Sequence, residues 1–330
     1  MQLFFFTVLL VLGFPFIMTE VVDSFSQCSG FFFEGEPPKI NDILERSISL
    51  DNDRYKLICQ KYNGTKRYAT LYDIKNKIPV FSAYTYTGGG QKKNKTRKWM
   101  IEPQLEMTDE MREPCVSQAC TQDYTNQSNL SRGHLFPKSY AADKDTAKST
   151  FTLTNAVPQI ESFNSGSWSN MEKKVKNEMD SHCKKDNSMI LAYVLTGAVP
   201  SQNKLMKEKV NIPSHMWTAF CCYNITSQKW VAQAHWAENI DESNGKCKTI
   251  SEKSLKDLQD FLKINYKETI LFKDQCLEML NAHVSQPLEA DSDDQQYDEE
   301  QSLLAFLISL PAKVWVGLRN YKYEFVWTLF

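Results

Sequence analysis

From residue 55 onward, apolar and aromatic positions recur in short runs separated by turn residues. Residues 55–61 and 67–73 flank Asn63-Gly64-Thr65, and two such runs about an Asn-Gly connection predict a β-hairpin. Residues 79–86 alternate and predict a further strand, closed by Gly88-Gly89-Gly90. The stretch 108–128 is polar and rich in turn residues, so it reads as a loop, and 149–154 as a short strand or an extended arm. Residues 168–185 predict a helix with a basic face and Ser167 as its cap. The apolar run 189–197 predicts a buried strand ended by Gly197. Residues 217–223 and 229–237 read as another strand pair, and 254–262 as an amphipathic helix. Strands, a central helix and more strands give an α+β fold with an antiparallel sheet core. No internal repeat is present.

The ends differ from this middle. Residues 1–24 are apolar to about Ile17 and then polar, which reads as a secretory signal peptide cut between Phe16 and Ser26. A membrane-anchoring helix is the competing reading. Residues 25–285 form the expected domain. Residues 286–301 are an acidic linker with no apolar pattern. The segment 302–330 is an apolar and aromatic tail: Leu303 to Leu310 is interrupted by Pro311 and Lys313, then Trp315, Arg319, Tyr321, Lys322, Tyr323 and Trp327 follow. That mixture suits a membrane surface; packing on the domain or on a partner chain is the alternative.

The chain carries nine cysteines, none in a Cys-x-x-Cys pair. This argues against a zinc site and for disulfides in an oxidising compartment. Cys115 and Cys120 are close enough to close a small loop, and the odd count leaves at least one thiol free or intermolecular. Sequons at Asn63, Asn94, Asn126, Asn129 and Asn224 agree with secretion. The net charge of −2 hides basic blocks at 92–98 and 173–185 and an acidic block at 291–300, so it does not exclude a polyanionic substrate.

Hydrolysis of a phosphodiester needs a base to activate water, a metal to neutralise developing charge and cations to hold the phosphate. Among five histidines, His134 stands out, because Arg132-Gly133 precede it and asparagines follow. An imidazole accepts a proton near neutrality. Asn155 and Asn164 lie on the loop leading into the helix at 168, and Glu172 sits one turn inside it. An Asn carbonyl is a hard oxygen donor suited to Mg²⁺, which keeps several waters and needs few protein ligands. Taken alone, Asn155 reads as a turn residue before Pro158 and Glu172 as a solvated helix charge. Arg97 could clamp a phosphate bidentately or belong to a solvated basic loop.

Four stretches together resolve these ambiguities: residues 96–99 (Thr-Arg-Lys-Trp), 132–137 (Arg-Gly-His-Leu-Phe-Pro), 153–159 (Leu-Thr-Asn-Ala-Val-Pro-Gln), and Asn164-Ser165-Gly166-Ser167-Trp168 with Glu172. In order and spacing the chain resembles the DNA/RNA non-specific endonuclease family, whose members carry a ββα-metal active site. The resemblance implies cleavage of both DNA and RNA with little base preference, leaving 5′-phosphate ends. It implies His134 as general base and Asn164 as direct ligand of Mg²⁺, with Mn²⁺ as substitute. Arg97 and Glu172 would support the phosphate and the metal's water shell, Arg132 would complete the catalytic set, and Asn155 would order the site. One position departs: Ser131 stands where the family motif has aspartate, and it completes the sequon Asn129-Leu130-Ser131. The alternative is therefore a weakened or silent nuclease fold that binds nucleic acid or a protein partner. A third reading makes the tail the functional part and the domain its scaffold.

Overall fold

The computed structural model describes residues 21–89, 98–106, 115–184, 189–244 and 248–276. Residues 1–20 of the expected leader, Arg97, the acidic segment 286–301 and the tail 302–330 lie outside the described residues. Residues 21–24, which the sequence reading assigns to the leader, are built into the fold. Val21–Val22 pairs with a long strand, and Ser24 accepts a hydrogen bond from the Ser26 amide at the start of a 3₁₀ turn.

In chain order the strands are β1 (Val21–Val22), β2 (Lys39–Ile40), β3 (Leu44–Glu45), β4 (Ile48–Ser49), β5 (Tyr55–Tyr62), β6 (Thr65–Asp73), β7 (Ile78–Tyr86), β8 (Leu130–His134) and β9 (Ala156–Ile160). They continue with β10 (Ala192–Val199), β11 (Leu205–Met206), β12 (Val210–Asn211), β13 (His215–Asn224), β14 (Lys229–Glu238) and β15 (Thr269–Ile270). The helices are α1 (Lys144–Ser149), α2 (Glu161–Phe163), α3 (Ser169–His182) and α4 (Leu255–Tyr266). Among the described residues, the main sheet has seven strands in the order β1-β5-β6-β7-β10-β13-β14, all paired antiparallel. This is the expected α+β architecture. The β5–β6 hairpin turns at Asn63 and Gly64, both at positive φ (49° and 73°), as a two-residue turn matched to strand twist requires.

Alternate side chains of the sheet face opposite layers. Tyr68, Tyr84, Val194, Met216 and Phe220 face the layer that carries α3. Leu71, Phe81, Ala83, Leu195 and Trp217 face the N-terminal turns and α4. Each large side chain so buried contributes about 1.5–3 kcal/mol. Helix α3 meets its layer through Met171, Val175 and Met179, a stripe at helical spacing. The adjacent residues Cys221 and Cys222 point to opposite faces of β13, and each is bonded on its own side. Cys222 pairs with Cys183 just beyond α3, and Cys221 with Cys276 beyond α4. Cys28–Cys59 ties the N-terminal turn to β5, and Cys115–Cys120 closes the small loop. Cys247 lies outside the described residues.

Two element boundaries differ from expectation for physical reasons. Gly197 does not end a strand; β10 runs through it to Val199. A Cβ there would stand 2.3 Å from the Trp217 indole, so glycine makes room for that ring. Ser167 is not a helix cap. A π turn at Asn164–Trp168 joins α2 to α3, and Ser167 sits inside it.

Candidate functional site

β8 and β9 form a two-stranded ribbon outside the main sheet, and the run α2–π turn–α3 follows β9 directly. The unit is thus strand, strand, helix. Its register pairs His134 with Ala156, Gly133 with Val157, Arg132 with Pro158 and Ser131 with Gln159. Pattern alone does not announce these strands, because Gly, Pro, Ser and Arg interrupt them. Pairing explains the glycine: a Cβ on Gly133 would lie 2.0 Å from Gln159 Oε1 and 2.7 Å from its Cβ. Gln159 is fully buried, so the space is taken.

His134 ends β8. Its ring lies 4.7 Å from the Trp99 ring and 4.9 Å edge-on from Phe151. Nε2 is buried and has no hydrogen-bond partner among the described residues. Burial, with a contribution from the Lys138 charge, pulls its pKa down to about 4, so the imidazole is neutral and proton-accepting at neutral pH. Trp99 and Phe151 stand side by side because residues 100–102 run along 151–153: the Met100 amide donates to the Phe151 carbonyl (3.0 Å) and the Leu153 amide to the Met100 carbonyl (2.8 Å).

Asn155 is fully buried just before β9. Its Oδ1 accepts from the Phe136 amide (2.9 Å) and Ser82 Oγ (2.9 Å). Its Nδ2 donates to the carbonyls of Phe136 (3.2 Å) and Thr150 (3.0 Å). All four bonding positions are occupied by protein, so this amide fixes the chain that leaves His134. Phe136 is further held by stacking on Tyr84 at 4.0 Å.

Asn164 opens the π turn. Its Nδ2 donates to Ser131 Oγ (2.8 Å), and Ser131 Oγ donates to the Gln159 carbonyl (3.2 Å). The residue that departs from the family pattern therefore touches the amide expected to hold the metal. Glu172 stands one turn into α3, where Oε1 accepts from Trp168 Nε1 (3.1 Å) and its main-chain carbonyl accepts from Tyr140 Oη (2.7 Å). Burial pushes its carboxyl up to about 8. Arg132 lies between Trp99 (5.8 Å) and Tyr124 (4.9 Å) and donates to the Thr121 carbonyl (3.0 Å). The structure thus ties Asn164 to Ser131, Asn155 to the loop after His134, and Arg132 to the Trp99 wall. Arg97 is outside the described residues.

The donor set fits an ion held by few protein atoms and much water. Asn164 Oδ1 and Glu172 Oε2 accept no hydrogen bond from the described residues. Desolvation of the Glu172 carboxyl is offset only in part by Trp168 and the Lys173 charge, and a nearby cation would relieve it further. No group of three His, Cys, Asp or Glu is found among the described residues, so the set does not resemble a closed zinc cage.

Sequence reasoning missed Phe151 and Tyr140 as parts of this site, and it gave Trp99 and Gln159, which lie inside the quoted motif stretches, no role of their own. It also missed the hydrogen bonds that Asn239, Asp241 and Glu242 make to the β9–α3 connection. The signals were the places of Trp99 and Gln159 in those stretches; Phe151 and Tyr140 are brought in by folding alone.

The model of the DNA/RNA non-specific endonuclease family matches residues 52–276. The human endonuclease domain-containing 1 protein is 30% identical over 278 residues, covering 79% of this chain and 49% of that protein. The mouse protein of the same name is 30% identical over 293 residues, covering 84% and 53%. The chain spans about half the length of these relatives. A chain from the crystal structure of the EndoG/EndoGI complex superposes with a TM-score of 0.48 at 19% identity, covering 64% of this chain and 84% of that one. With the family model spanning every strand of the main sheet but β1, the β8–β9 ribbon and α3, the chain belongs to the DNA/RNA non-specific endonuclease family.

Proposed function

We propose that the chain is a metal-dependent endonuclease that hydrolyses phosphodiester bonds of DNA and RNA with little sequence preference. The observation that carries this reading is His134: a neutral imidazole whose buried Nε2 has no partner among the described residues, at the end of the first strand of the strand–strand–helix unit. His134 takes the proton from the attacking water. Asn155 holds the main chain on which His134 sits. Asn164 Oδ1 is the protein ligand of Mg²⁺, or of Mn²⁺ in its place, and Glu172 orients the ion's water shell. When bound, the ion neutralises charge that develops on the phosphate. Arg97 and Arg132 hold the phosphate. Single- and double-stranded DNA and RNA oligonucleotides of matched sequence test the substrate range. Comparable turnover of all, leaving 5′-phosphates, is the expected outcome; strict preference for one sugar would overturn it.

A second reading has one specific observation in its favour. Ser131 supplies a neutral hydroxyl to Asn164 where a carboxylate would add charge, and Asn129, two residues away in sequence, is exposed and lies in a sequon. A glycan there would crowd a phosphate groove. This favours a weakened nuclease, or one that retains nucleic acid without cutting it; such retention would fall steeply with salt. The leader, the sequons and the disulfides support secretion. The tail 302–330 supports attachment to a membrane surface, tested by partition of the full and truncated chains.

A further inference from the structure

We infer that Glu242, with Asn239 and Asp241, is a positioning brace that holds the metal-binding turn in its π form, an inference that rests on Asn164 being the metal ligand. The segment leaving β14 crosses the β9–α3 connection and bonds to it repeatedly. Asn239 Oδ1 accepts from the Ile160 amide (2.8 Å), and Nδ2 donates to the carbonyls of Pro158 and Pro213 (both 3.1 Å). Asp241 Oδ1 accepts from Ser162 Oγ (2.6 Å), and that same hydroxyl accepts from the Glu242 amide (2.8 Å). The Glu242 carboxylate then spans Ser167, with Oε2 on the amide (3.0 Å) and Oε1 on the hydroxyl (2.5 Å).

The turn so gripped is unusual. Between Asn164 and Trp168 the backbone leaves helical geometry at Gly166 (φ −92°, ψ −112°), and the wound path carries one residue more than an α-helix would. Such turns occur mostly as single insertions at functional sites. Rewinding to α geometry would rotate the residues before the insertion by about 100° relative to α3. Asn164 lies before it and Glu172 after it. The relative aim of the two metal-facing side chains therefore depends on keeping the extra residue. Ser167 sits inside the insertion, and Glu242 is the side chain that satisfies its amide and hydroxyl together. Charged acceptors make the stronger hydrogen bonds, and this one sets the form of the turn without itself lying among the expected metal ligands.

The test uses Glu242→Gln, which keeps the volume, and Ser167→Ala, which removes only the hydroxyl. Partners that orient a metal's ligands typically change affinity about 10–100-fold when lost. Mn²⁺ binding, followed by water-proton relaxation, is expected to weaken at least about tenfold in Glu242→Gln. The Mg²⁺ concentration for half-maximal cleavage should rise in parallel, with turnover recovering at high Mg²⁺. Amide hydrogen exchange should accelerate at residues 164–168 and stay unchanged in β5–β7. Ser167→Ala should show the same pattern at smaller amplitude. Unchanged Mn²⁺ affinity in a folded Glu242→Gln protein would overturn the inference, as would unchanged exchange at Ser167. Should the unaltered chain bind no Mn²⁺, the metal reading under Proposed function falls, and exchange still decides whether Glu242 holds the turn.

Discussion

Asn155→Ala tests whether this amide organises the site or serves the metal. Asn155 is completely buried and makes four side-chain hydrogen bonds, to the Phe136 amide and carbonyl, the Thr150 carbonyl and Ser82 Oγ. Ser82 keeps a second partner in Thr70, so truncation strands three main-chain groups. A buried polar group left unpaired costs about 1–3 kcal/mol. Allowing for partial relaxation, the loss is about 3–5 kcal/mol, in the range of a broken buried network. For a domain of this size that is a fall in Tm of roughly 10 °C. Urea denaturation gives the free energy, and single-turnover cleavage against Mg²⁺ concentration separates turnover from metal affinity. The structure predicts a large loss of stability and of the chemical step, with half-saturation by Mg²⁺ nearly unchanged. Asn155→Asp should be little better, because a carboxylate cannot donate to the Phe136 and Thr150 carbonyls. Stability within about 1 kcal/mol of the parent, or a change confined to Mg²⁺ affinity, would refute the reasoning.

Ser131→Asp should raise cleavage about tenfold or more, since a charged acceptor for Asn164 Nδ2 is worth more than a hydroxyl; Asn129→Gln alone separates glycan removal from charge, and no gain in Ser131→Asp would sink the idea. Gly133→Ala drives a Cβ into Gln159 and should cost about 1–3 kcal/mol. Gln159→Ala in the same chain should recover part of that loss, and strictly additive losses in denaturation would contradict the contact. The pKa of His134, depressed from 6.5 to about 4, makes the unfolded chain bind the extra proton first. Stability contributed by the neutral ring is complete above about pH 6.5 and is lost as pH falls towards 4. Between pH 7 and 4.5 the unaltered chain should lose about 2–3 kcal/mol more than His134→Gln, and parallel losses in urea titrations would refute the burial argument.

What was legible in the sequence follows from range of interaction. The β5–β6 hairpin is written locally, in alternating runs about Asn63-Gly64, and α4 in a Ser254–Asp257 capping box before an amphipathic run. β8 and β9 are not, because Gly133 and Pro158 serve the pairing and the close approach of Gln159 rather than strand propensity. Ser167 carries the signature of a cap, yet its amide and hydroxyl are claimed by Glu242, 75 residues away. Gly197 has the look of a terminator until Trp217 is placed over it. The positions His134, Asn155, Asn164 and Glu172 were readable as a set through their family pattern. Their partners Phe151, Ser82 and Asn239 were not, since no local rule links residues brought together only by folding.

The most direct test of the central claim is plasmid nicking by the purified chain with Mg²⁺, alongside an EDTA control and His134→Ala. The account predicts nicking by the unaltered chain that disappears in both controls, while His134→Ala keeps its fold by circular dichroism. Undiminished nicking by His134→Ala, or no nicking by the unaltered chain even after deglycosylation, would contradict it.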